Sequence, residues 1–60
     1  MSKMDWIINI DNTASIVAGT FGDEVVAAVF GRYGATCSDN LNPRYYEAVF
    51  SDLMVMEADI

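Results

Sequence analysis

The side chains best able to do chemistry in this 60-residue chain are its nine carboxylates: Asp5, Asp11, Asp23, Glu24, Asp39, Glu47, Asp52, Glu57 and Asp59. Only Lys3, Arg32 and Arg44 oppose them, which leaves a formal net charge of −6, and there is no histidine. Without His, neither a Ser-His nor a Cys-His nucleophile can be assembled. Cys37 is the single cysteine, so an intramolecular disulfide and the usual Cys/His zinc site are both excluded. It reads as a small apolar loop residue, with a reactive or intermolecular thiol as the alternative. Paired carboxylates could exchange protons with a substrate, but so short a chain offers little concavity to raise the pKa of one of them. The run Asp11-Asn12-Thr13-Ala14-Ser15 sets oxygen side chains at alternate positions, as a calcium loop begins. Ile16 then stands where such a loop needs glycine, and Gly22 where it needs glutamate. Gly19, Gly22, Gly31 and Gly34 match neither phosphate-binding glycine pattern. The expectation is a non-enzymatic chain with no cofactor and no metal.

Acidity also selects partners. With an isoelectric point near 4.1, the chain is repelled by phosphate backbones and anionic membranes, which are bound through Lys and Arg that displace counterions. Direct nucleic-acid binding is therefore not expected, and a basic surface is. The longest apolar run, Val25–Phe30, is too short to span a bilayer. No signal peptide is visible at Met1–Asp5, and one unpaired thiol fits a reducing compartment. These features predict a soluble cytoplasmic protein.

The elements that must carry these groups are short. Sixty residues make one domain, which buries about 60% of the surface exposed by its unfolded chain. With no disulfide or metal to help, tight packing or oligomerisation must supplement that burial; a monomer or weak homodimer is expected. Trp6, Ile10, Ala14, Val17 and Phe21 recur at helical spacing, which predicts a first helix over about 3–19, with a break possible at Asp11-Asn12. The competing reading is a hairpin over 5–20, with Asp11-Asn12-Thr13 as its turn, which would make the fold α+β. Gly19-Thr20-Phe21-Gly22 punctuates the chain. Asp23 is then placed to cap a second helix over about 24–33, whose stripe is Val25, Val26, Val29, Phe30 and Tyr33 and whose left-handed end is Gly34. Residues 35–41 are small and polar, and Asn42-Pro43 is a helix-start signal. The third helix follows, with Tyr46, Val49, Phe50, Leu53, Met56 and Ile60 on one face. The fold class is all-α, a compact bundle of about three short helices. Tyr45, Met54 and Val55 fall off the third stripe and are expected to leave an exposed apolar patch.

The segment Val29-Phe30-Gly31-Arg32-Tyr33-Gly34-Ala35, followed by Asp39-Asn40-Leu41-Asn42-Pro43-Arg44-Tyr45-Tyr46-Glu47-Ala48-Val49-Phe50-Ser51-Asp52-Leu53, resembles a module of small proteins from bacterial phages and mobile elements. With its size and acidity, the chain resembles the anti-CRISPR proteins, above all the very small inhibitors of type I surveillance complexes. That resemblance covers about residues 25–59. It implies an inhibitor acting in the bacterial cytoplasm, as an acidic DNA mimic, on the basic site where such a complex reads its target DNA. Duplex DNA carries one charge per roughly 1.7 Å of axis, so a helical body studded with carboxylates can stand in for a short run of phosphates. On the physics of the residues the candidate partner-binding set is Asp23, Glu24, Asp39, Glu47, Asp52, Glu57 and Asp59. The competing explanation is that they are ordinary solvated faces. A regulatory or antitoxin-like module that binds a protein through the apolar patch is the second functional reading.

Overall fold

A computed structural model describes residues 1–60. The order of elements is α1 (Lys3–Phe21), α2 (Asp23–Gly31), two 3₁₀ turns at Ser38–Asn40 and Pro43–Tyr45, and α3 (Tyr46–Ala58), with no strand. The all-α class expected from the sequence is the fold. Its radius of gyration of 10.3 Å matches the roughly 10.4 Å of a well-packed chain of this length.

α1 starts where Ser2 accepts the Asp5 N–H at 3.2 Å, a side-chain cap on one of the free donors of the first turn. It then runs unbroken through Asp11 and Asn12, which excludes both the competing hairpin over 5–20 and the break that the sequence allowed there. Ile10 and Val17 are fully buried on its inner face, with Thr13 between them. Helical burial of this face competed with the β propensity of the Ile and Val residues and won. α1 also passes Gly19. The turn is made by Gly22 alone, at φ +95°, a conformation open to glycine. Gly22 N–H closes α1 on the Ala18 carbonyl, and its own carbonyl accepts the Val25 N–H to open α2. Asp23 is therefore the first residue of α2 and not its cap, and its side chain caps nothing. A one-residue connection leaves no room for a separate capping residue.

α2 ends at Gly31, short of the predicted 33, but its left-handed cap is the predicted glycine. Gly34 sits at φ +73°, its N–H bonds the Gly31 carbonyl, and the Ala35 N–H bonds the Phe30 carbonyl at 3.1 Å. This pair of bonds is a Schellman cap, and it buries Phe30 and Ala35 together. The loop that follows is less polar in role than in composition, since Ala35, Ser38 and Leu41 are all buried. Asn40 folds it locally by accepting the N–H groups of Thr36 and Cys37. At the next boundary the Asn42 side chain accepts the Arg44 N–H at 3.1 Å and Pro43 opens the helix, first as a 3₁₀ turn.

α3 lies mainly against α1. Tyr46, Val49 and Leu53 are buried and Phe50 meets Trp6 edge to face at 5.8 Å between centroids, a favoured aromatic geometry. Ile10, Val17, Val29, Val49 and Leu53 are the fully enclosed centre. Two residues leave their expected stripes: Phe21 is 43% exposed at the end of α1, and Ile60 is 61% exposed because the helix stops at Ala58.

Candidate functional site

The seven candidate carboxylates occupy three places. Asp23 and Glu24 form the first turn of α2, where the helix dipole favours them. Asp39 projects from the first 3₁₀ turn and, with Lys3, Met4 and Ile7, lines an open depression of about 420 Å³. Glu47, Asp52, Glu57 and Asp59 run along α3 and its end, which carry no Lys or Arg. No three carboxylate or thiol groups converge closely enough to hold a metal ion. The charge is spread as points and not gathered into a pocket.

Six of the seven are free of ion pairs, and Asp52 is the exception. Its Oδ2 accepts the Tyr33 hydroxyl at 2.7 Å and lies 3.5 Å from Arg32 Nη1, so it ties the end of α2 to the flank of α3. The hydrogen bond to Asp52 holds the Tyr33 hydroxyl above its ordinary value of 10.0, helped by desolvation and by the carboxylate's charge and opposed by Arg32. Asp52 is thus already engaged within the fold. Asp11, outside the candidate set, is likewise engaged: Ser38 Oγ donates to its Oδ1 at 2.6 Å and fastens the 35–41 loop to α1. Sequence reasoning missed both contacts, because each joins residues 19 or more apart.

Arg32 to Asp52 is the only ion pair in the molecule, so eight of nine side-chain carboxylates form none, and neither do Lys3 and Arg44. Glu57 and Asp59 stand at the C-terminal end of α3, where the dipole is negative and each carboxylate costs about 0.3–1 kcal/mol at low salt. Folding does not account for acids in that position.

The apolar surface differs from the expectation at one residue. Tyr45 is half-buried, its ring 5.1 Å from that of Tyr33 and 5.5 Å from the Arg44 guanidinium, so it leaves the predicted patch. Met54 and Val55 are exposed as expected. A second exposed group, Met4 and Ile8 on α1 with Met1 just before it, went unread. Its signal was present in the three- and four-residue spacing opposite Ile10 and Val17.

The fold and surface define the class: a small all-α protein with carboxylates on its exterior that form no ion pair. No protein-family model, curated protein or solved structure matches the chain. No helix is long and apolar enough to cross a membrane.

Proposed function

We propose that this chain is an inhibitor that occupies a Lys- and Arg-rich nucleic-acid-binding surface of another protein. The observation that carries this reading is the surface of eight unpaired carboxylates, two of them held at a helix end that disfavours them. Such groups meet Lys and Arg through charge-assisted hydrogen bonds, which are stronger than neutral ones. The bulk of the bound chain then excludes DNA. The resemblance of residues 25–59 directs this reading to the DNA-recognition site of a type I CRISPR surveillance complex, in the bacterial cytoplasm. Asp23, Glu24, Asp39, Glu47, Glu57 and Asp59 are the contact candidates; Asp52 acts by keeping α2 and α3 in register.

The test is retention of the surveillance complex from a lysate of CRISPR-bearing cells by the tagged chain, followed by a target-DNA binding assay on what is retained. A captured complex that no longer binds target DNA supports the reading. Failure to retain any nucleic-acid-binding complex sinks it.

Exposure of Met54 and Val55 supports the second reading, a regulatory or antitoxin-like module that docks by apolar contact. Its affinity would be nearly indifferent to salt, where the first falls with salt.

A further inference from the structure

The two chemistries weighed above lie on the same helix. At 100° per residue, Ser51, Val55 and Ala58 form one exposed row along α3 at i, i+4 and i+7. Met54 and Glu47, seven residues apart, form the adjacent row, with Glu57 beyond Met54 and Asp59 on the far side of Val55. Val55 is 68% exposed and Met54 43% exposed, with only small side chains above and below Val55. Carboxylates border them and no cation occurs on the helix.

We propose that this outward face of α3 is one docking surface. Val55 and Met54 enter an apolar recess on a basic partner, and Glu47, Glu57 and Asp59 meet the Lys and Arg around it. The proposal rests on the reading of the chain as a ligand for a basic surface, and it names the second chemistry that surface must have. Magnitudes require such a second chemistry. The longest dimension of the molecule is 27 Å, over which duplex DNA presents about 16 phosphate charges. The chain has eight carboxylates that form no ion pair, divided among its three helices, the first 3₁₀ turn and the end of α3. Charge alone leaves it the weaker ligand for a phosphate site, so displacing DNA needs a contribution that salt does not screen. Burial of apolar side chains supplies one.

The sign of the charge selects the occupant. A second copy of this chain would bring Glu47, Glu57 and Asp59 against their own like, which disfavours self-association. The group of Met1, Met4 and Ile8 at the start of the chain is a weaker candidate, because Lys3 and Asp39 give the depression beside it mixed charge.

Two synthetic helical peptides of equal positive charge serve as probes, one of Lys and Leu and one of Lys and Ala. At about 0.3 M salt, where exposed ion pairs are largely screened, the wild-type chain is expected to bind the Lys-Leu peptide about 10-fold tighter than the Lys-Ala peptide. The double variant M54S/V55S, altered only at exposed positions, should lose that preference while still binding both peptides at low salt. The triple variant E47K/E57K/D59K should bind neither. Equal affinity of the wild type for the two peptides, or a preference that survives M54S/V55S, overturns the apolar anchor and leaves the basic-partner reading standing. Binding to neither peptide at low salt overturns both. A dimer of the chain in sedimentation that M54S/V55S abolishes would replace the basic partner with a second copy.

Discussion

Tyr33 and Asp52 show how an acidic residue can be structural in a chain where, Asp11 apart, the other acids are not engaged across elements. The Tyr33 hydroxyl holds its proton more tightly in the folded state than in the unfolded one. The folded state therefore binds more protons through that range, and stability is retained below pH 10 and falls as the pH rises through the higher folded value. Replacing Tyr33 with Phe removes this alkaline flank and lowers the melting temperature at neutral pH; a pH series of thermal melts reads both effects. If the flank is unchanged in Y33F, the hydrogen bond to Asp52 is not its source. Two backbone devices give sharper magnitudes. Asn42→Ala removes the cap on the Arg44 N–H and should cost about 1 kcal/mol in chemical denaturation. Gly34→Ala forces a Cβ into a left-handed backbone with open space around it, so the expected loss of about 1–2 kcal/mol is purely conformational.

At the scale of elements, α3 does two jobs with two faces. Its inner residues Val49 and Leu53 are fully enclosed, and Leu53→Ala should cost about 2–5 kcal/mol. That is most of the stability a 60-residue chain can have, so the variant should be largely unfolded by circular dichroism at 37 °C. The three helices and most of their boundaries were legible in the sequence because periodicity, Asn42-Pro43 and Gly34 are local signals. The reach of α1 past Gly19 was not, because glycine in a helix is tolerated when the turn can be made elsewhere, here at Gly22. The 35–41 loop is small and polar in sequence, yet Ser38 and Leu41 are buried. Their burial depends on a hydrogen bond to Asp11 and on packing that no local window contains. The candidate site was legible as a set of carboxylates but not as a surface. Separating Asp52 from the rest required knowing that Arg32 and Tyr33 sit across from it, and removing Tyr45 from the apolar patch required the Tyr33 ring.

For the whole molecule, unpaired acids repel one another as well as attract a partner. A body of 27 × 21 × 14 Å is only two to three screening lengths across at physiological salt, roughly 8 Å each. Added NaCl should therefore raise the melting temperature while weakening the proposed binding. Glu57→Lys with Asp59→Lys separates folding from function within one variant. It relieves the negative end of α3 and reduces the net charge, so it should stabilise the fold by about 0.5–2 kcal/mol. The most direct measurement is a competition titration in which the wild type and this double variant displace labelled target DNA from a purified type I surveillance complex. The account predicts that the wild type displaces DNA with an apparent inhibition constant that rises in proportion to DNA concentration. The more stable double variant should displace it at least 10-fold less well. Inhibition by the double variant equal to that of the wild type, or wild-type inhibition that is independent of DNA concentration, would contradict it.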